Sequence, residues 1–135
     1  MNNVTNKVAQ VTIFFWIMKI CATTLGETAG DLMSMTMNVG YAVSSVILIS
    51  LFLISLFAQI KSQKFHPALY WLVIVTTSTA GTTVSDYMNR TLGLGYMTGS
   101  LLLISGLIIV LAAWRFTTGN LSVNNIQTTK AELFY

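Results

Sequence analysis

The chain has 135 residues, 54% of them apolar and only 8% charged, against roughly 25% charged in an ordinary water-soluble domain. Its net charge of +3 comes from scattered basic residues, which excludes a nucleic-acid footprint, and the single cysteine, Cys21, excludes an internal disulfide. Several apolar runs approach the roughly 20 residues that cross a hydrocarbon core, so an all-α integral membrane protein is expected.

Four spans are expected in chain order. The first covers about Thr12–Ser34 and the second Gly40–Ile60. The third covers Pro67–Asn89, with Pro67 suited to a first helical turn because its missing N–H costs nothing there. The fourth covers Gly95–Phe116, and a polar tail follows. No short apolar core followed by a small-residue cleavage site opens the chain, so its N-terminus is expected to be retained. Short connections imply that sequential helices are antiparallel neighbours.

The spans are copies of one another. Trp16 recurs as Trp71, Gly26 as Gly81, Thr28 as Thr83, Asp31 as Asp86 and Gly40-Tyr41 as Gly95-Tyr96, all 55 residues apart. Composition alone does not repeat polar residues in one register inside apolar segments. The expected organisation is therefore two tandem parallel two-helix repeats, 1–62 and 63–117, and a polar cytoplasmic tail, 118–135. Lys7, Lys61, Lys64, Arg115 and Lys130 fall on one side and only Arg90 on the other. The positive-inside rule then puts both termini in the cytoplasm, with the cell (inner) membrane as the expected location.

Two stripes on the odd-numbered spans carry the chemistry. Lys19, Thr23, Glu27 and Asp31 stand four apart on one helical face, and the second copy answers with Ile74, Ser78, Thr82, Asp86 and Arg90. Charges in mid-membrane cost about 2.5–3.5 kcal/mol each, so this face is expected to point into the bundle or a wet cavity. Carboxylate and hydroxyl oxygens suit hard divalent cations, which makes Glu27, Asp31 and Asp86 candidate ligands, with Lys19, Thr23, Ser78, Thr82 and Arg90 along the path. Glu27 lies deepest among the acids and is the candidate for proton exchange. Each residue also has a plainer reading. Asp86 and Arg90 form an ordinary i, i+4 pair, and Lys19 can snorkel to the cytoplasmic interface. Beside the acid stripe run small residues, Ala22, Gly26 and Gly30, echoed by Thr77, Gly81 and Ser85. Small residues every fourth position let membrane helices approach closely, so the first and third spans are expected to pack through these faces.

Trp16 and Trp71, and Tyr41 and Tyr96, fall where aromatic belts are expected at the two interfaces. No phosphate-binding glycine loop, paired metal-ligand histidines or nucleophile–base arrangement is present, so neither enzyme activity nor a cofactor is expected.

At Trp71…Thr76-Thr77…Gly81…Asp86, and at Trp16…Thr23-Thr24-Leu25-Gly26-Glu27-Thr28…Asp31, the chain resembles a family of bacterial membrane proteins of unknown activity. That family is built from a repeat of unknown function with two transmembrane regions and a characteristic tryptophan, in four tandem copies as a rule. Here there are two copies, and the second reads Gly81-Thr82-Thr83 without the glutamate. The resemblance implies eight helices in a full assembly, which a two-copy chain reaches most simply as a homodimer. The functional expectation is a small transporter or channel for a hard cation, with proton coupling. The alternative is a non-transporting assembly or regulatory protein in which the stripe only specifies helix pairing.

Overall fold

The computed structural model describes residue 9, residues 11–62 and residues 64–119. Lys7, Lys130 and residues 120–135 of the expected tail lie outside the described residues. Thr12 opens the first helix, its side chain accepting a hydrogen bond from the Phe15 amide at 3.3 Å, one of the donors a helix start leaves orphaned. Helix α1 then runs Ile13–Asp31 and passes into a π-helical turn, Leu32–Thr36. Helix α2 covers Tyr41–Lys61, and α3 begins at Pro67 in its first turn and covers Pro67–Asp86. A second π-helical turn, Tyr87–Thr91, leads to α4, Gly95–Thr118, which ends at Gly119 in the left-handed conformation. Among the described residues the fold is all-helical, four α-helices from two tandem repeats. Of the four, α2 and α4 are long and apolar enough to cross a membrane.

The two repeats share details that the amino acids do not announce. Both π-turns start directly after the duplicated aspartate, and both close with a five-residue step, Met37 N–H to Leu32 O at 2.9 Å and Leu92 N–H to Tyr87 O at 3.0 Å. In both copies the turn that follows uses a left-handed residue, Asn38 (φ 54°) or Gly93 (φ 67°). A second positive φ comes two residues later, at Gly40 (81°) and Gly95 (73°). Asparagine is the residue other than glycine that adopts this region most readily, so conformation is kept where identity is not.

Packing departs from the expectation that each helix neighbours the next. Helix α3 is wedged between α1 and α2, in extensive contact with both, and no comparable contact joins α1 to α2 or α3 to α4. The repeats therefore interlock, the first helix of one filling the open hairpin of the other. The interior is polar. Ser34, Ser44, Ser45, Ser55, Thr76, Thr79 and Thr83 are buried, whereas Ile13, Phe14, Ile54, Phe57 and Ile109 are among many large apolar side chains left outside. In water this distribution would forfeit the hydrophobic drive; in lipid it is the expected one, because apolar side chains gain nothing by hiding from hydrocarbon. One aromatic cluster closes the end where α3 starts, with Tyr70 and Trp114 buried and Phe15, Phe65 and Trp71 packed around them.

Candidate functional site

Helices α1 and α3 meet along a seam of small and hydroxyl side chains. Ala22, Gly26 and Gly30 are the buried residues of α1. A Cβ added to Gly26 would come within 2.8 Å of the Ser78 Cβ and 2.9 Å of the Val75 carbonyl; at Gly30 it would come within 2.6 Å of the Thr83 hydroxyl. Real Cβ atoms do not approach so closely: glycine is required at Gly26, where the obstacle includes backbone, whereas at Gly30 a Cβ enters only if the Thr83 hydroxyl turns aside. The Ser78 hydroxyl crosses the seam and donates to the Thr23 carbonyl at 3.1 Å. Ser78 is thus bonded to the counterpart of itself, which sets the two helices level, and the advance from Gly26 beside Val75 to Gly30 beside Thr83 makes them parallel.

The seam is not the pairing of two small faces that the pattern suggests. Gly81 has open space around its missing side chain, and the hollow of Gly26 and Gly30 receives a ridge of α3 hydroxyl residues, Ser78, Thr79 and Thr83. A hollow facing a hollow would leave a void lined by unsatisfied dispersion contacts, whereas a ridge fills it. Ser85, the second small residue expected at the seam, is half-buried and accepts a long hydrogen bond, 3.4 Å, from the Asn89 amide.

This docking decides where the acid stripe goes. On a helix of 3.6 residues per turn Glu27 lies roughly 100° round from Gly26, so once the glycine face meets α3 the stripe is turned to the side. Glu27 and Asp31 are exposed, not inside the bundle, while Lys19 and Thr23 are half-buried. On α3 the corresponding face is better covered: Ser78, Thr82 and Asp86 are half-buried, and Arg90 is exposed. Asp86 and Arg90 form an ion pair at 3.5 Å, and the Arg90 guanidinium also sits 5.8 Å from the centre of the Tyr41 ring on α2. Among the described residues no three His, Cys, Asp or Glu side chains gather closely enough to hold a metal ion. Glu27, Asp31 and Asp86 therefore do not form a shared ligand set within one chain.

The hydroxyls are largely committed to their own helices. Thr23 donates to the Lys19 carbonyl at 2.9 Å, and Thr82 to that of Ser78 at 3.0 Å. Ser34 does the same to Gly30 at 2.7 Å. Back-bonding of this kind satisfies the donor where no water is present and leaves oxygen lone pairs facing the seam. A second crossing bond joins α2 to α3, the Ser55 and Thr76 hydroxyls standing 2.9 Å apart in a buried position. No periodicity pointed to that pair, because neither residue has a polar counterpart: Ser55 corresponds to Val110 and Thr76 to Cys21.

The aspartates occupy equivalent places, each the last α-helical residue before a π-turn. Widened turns of this type occur as single insertions at functional sites, since they rotate the following side chains and loosen the carbonyl ladder. At the opposite end an open apolar groove of about 250 Å³ lies between Phe14, Met18, Phe65 and Trp71, remote from the carboxylates.

Comparison with curated proteins and with solved structures gives no match. One family model matches twice, over 14–65 and 69–120, in the 55-residue register of the internal repeat. With most of the sequence inside those two matches, the chain belongs to the family of the Repeat of Unknown Function (DUF347), as a member with two copies.

Proposed function

We propose that this is a multi-pass inner-membrane protein that passes a hard cation along the polar faces of α1 and α3. Helices α2 and α4 have the composition of spans, and α1 and α3, each prolonged by its π-turn, exceed the roughly 20 residues a span needs. Lys61, Lys64 and Arg115 stand at one end of the bundle and Arg90 at the other, which supports cytoplasmic termini. The observation that carries the reading is the duplicated aspartate at an α-to-π junction, at the head of a hydroxyl seam, in a protein whose outside is apolar. A carboxylate repeated in register in both copies points to a paired site more than to two unrelated surface charges. Asp31 and Asp86 then supply oxygen ligands at the external mouth, and Glu27, one turn deeper, is the proton-exchanging group. The exposure of Glu27 and Asp31 in a single chain favours the competing reading, in which the stripe serves assembly alone.

Flux into proteoliposomes separates the two. The protein is expected to carry Mg²⁺ or Mn²⁺, and the double substitution Asp31→Asn/Asp86→Asn to lower the flux at least tenfold with assembly retained. Flux unchanged in the double variant assigns the stripe to assembly. Glu27→Gln is expected to flatten the pH dependence of flux; an unaltered profile removes proton coupling.

A further inference from the structure

The way the repeats interlock leaves one half of the same joint unused. In the first repeat α1 and α2 form an open hairpin, and α3 fills it. In the second repeat α3 and α4 form the same open hairpin, and nothing among the described residues fills it. Leu48 on α2 is 8% exposed, whereas its counterpart Leu103 on α4 is 48% exposed, and every residue from 100 to 111 is exposed. The matching plug is equally bare. Thr76, Thr79, Ala80 and Thr83, which α3 buries, correspond to Cys21, Thr24, Leu25 and Thr28 on α1, and all four of those are exposed.

We infer that a second copy of this chain supplies the missing helix: α1 of each protomer inserts between α3 and α4 of the other. Two such joints between chains, added to the one within each, close a ring of four inner helices, α1 and α3 of both protomers, with α2 and α4 outside. The joint is of the head-to-tail kind, which forms a ring when its rotation closes and an open fibre when it does not. The face α1 presents to α3 and the face α3 presents to α1 lie roughly 110° apart in repeat coordinates. A ring that alternates α1 and α3 requires about 90° for two protomers or 120° for three; the smaller ring is the one proposed, and the crosslinking pattern below tells the two apart.

The second joint fits at the level of side chains. Gly81, open in the single chain, takes the place of Gly26 and receives Thr23 and Thr24 of the partner subunit. Ser85 takes the place of Gly30; its Cβ meets Thr28 of the partner subunit, the counterpart of Thr83, whose hydroxyl must turn aside to admit it, and Glu27 of the partner subunit stands where Thr82 does within the chain. A carboxylate needs a donor, and Ser85 has one to give, because its oxygen accepts from Asn89 while its own proton remains available. The direction of the polar stripe also changes meaning. Thr23, Glu27, Ser78 and Thr82 lie between the two packing faces, so in the closed ring they surround the central axis. Glu27 and Asp31, exposed in one chain, then sit opposite their copies. This deepens the cation-path reading, because the ligand set absent from one chain is assembled from two.

The native cysteine provides the test. The Ser55–Thr76 contact at 2.9 Å recurs across the second joint as Val110 against Cys21 of the partner subunit. Hydroxyls that close place their Cβ atoms within reach of a disulfide. Full-length Val110→Cys protein, oxidised in membranes with copper–phenanthroline, is expected to run as a covalent dimer. Ile108→Cys, on the opposite side of α4, is expected to stay monomeric. Adding Gly81→Leu to Val110→Cys is expected to abolish the crosslink, since a side chain there meets nothing within one chain but occupies the partner's place. Monomeric Val110→Cys, equal crosslinking of the two variants, a ladder extending to trimers, or a crosslink that survives Gly81→Leu each overturns the ring. The readout is independent of transport: a crosslinked dimer without flux removes the cation path and leaves the ring, and flux without the crosslink removes the ring alone.

Discussion

Helices α2 and α4 are the same half of one repeat, and their surroundings could hardly differ more. α2 lies along α3, beside both π-turns, and has Ser44, Ser45, Leu48, Ser55 and Gln59 buried. Among the described residues α4 touches the rest of the chain only near its ends, through Gly99 beside Asn89 and Trp114 beside Tyr70. The difference is one of position, not composition: within the described residues α2 is followed by a helix that fills its hairpin and α4 is not. It teaches that the folding unit is the joint between successive repeats, not the two-helix hairpin that the sequence period marks out. A hairpin whose own helices barely touch is stable only once the next first helix fills it, as in stacked repeats that cannot bury a face alone.

The largest effects should come from the filled joint and spare the empty one. Gly26→Leu forces a side chain into a place where even a Cβ would lie 2.8 Å from Ser78, with backbone at 2.9 Å behind it. Overpacking on that scale costs about 1–3 kcal/mol, and the rigid Val75 carbonyl puts this site at the upper end. Gly81→Leu, at the equivalent position with open space, should change the stability of a single chain by no more than about 0.5 kcal/mol. Unfolding of the purified protein in mixed micelles, titrated with SDS under dissociating conditions, measures both. Equal losses for the two glycines would mean that α3 is enclosed on both sides within one chain, against the packing described here.

A smaller effect is expected at the crossing bond of the filled joint. Interhelical hydroxyl bonds in membranes average about 0.6 kcal/mol and reach about 1.7 at most, because the separated helices also find partners. A double-mutant cycle of Ser55→Ala and Thr76→Ala should give a coupling of about that size. Each hydroxyl has one proton, so the one that donates across the joint gives up its own-helix carbonyl, Phe52 for Ser55 or Leu72 for Thr76, and falls back on it when the other is removed. A coupling indistinguishable from zero would show that packing alone holds α2 on α3.

The helices and the repeat were legible in the sequence because they rest on local signals. Proline at a first turn, glycine at the start of α2 and α4, and long apolar runs place the expected spans within a few residues of the observed helices. The glycine face of α1 was legible too, since small residues four apart have one common use in lipid. What it packs against was not. Repetition invites the assumption that like meets like, so Gly81 was expected opposite Gly26; the structure instead sets a hollow against a ridge. The orientation of Glu27 and Asp31 followed from that same choice and could not be settled by their four-residue spacing. The π-turns left no mark at all, because a one-residue widening depends on how the chain must arrive at the next helix and not on any residue type.

The smallest expected effect lies at Asn38, where the repeats share a conformation but not a residue. Its φ of 54° matches the 67° of Gly93, and both residues sit between a π-turn and the start of the next helix. A left-handed conformation costs an ordinary L-residue about 1–2 kcal/mol, with asparagine paying less because its short side chain bonds locally. Asn38→Gly removes the residual strain but frees the unfolded chain, and the two nearly cancel, leaving a change within about 0.5 kcal/mol. Asn38→Val has no such relief. Its branched side chain resists positive φ, so a loss of about 1–2 kcal/mol is expected in the same SDS titration. Gly93→Val should cost at least as much, because glycine had nothing to lose there. If Asn38→Val is as stable as the parent, the first turn has an alternative path with negative φ. The match between the two turns would then be a coincidence of spacing, not a requirement of bringing the second helix of each hairpin back past the π-turn.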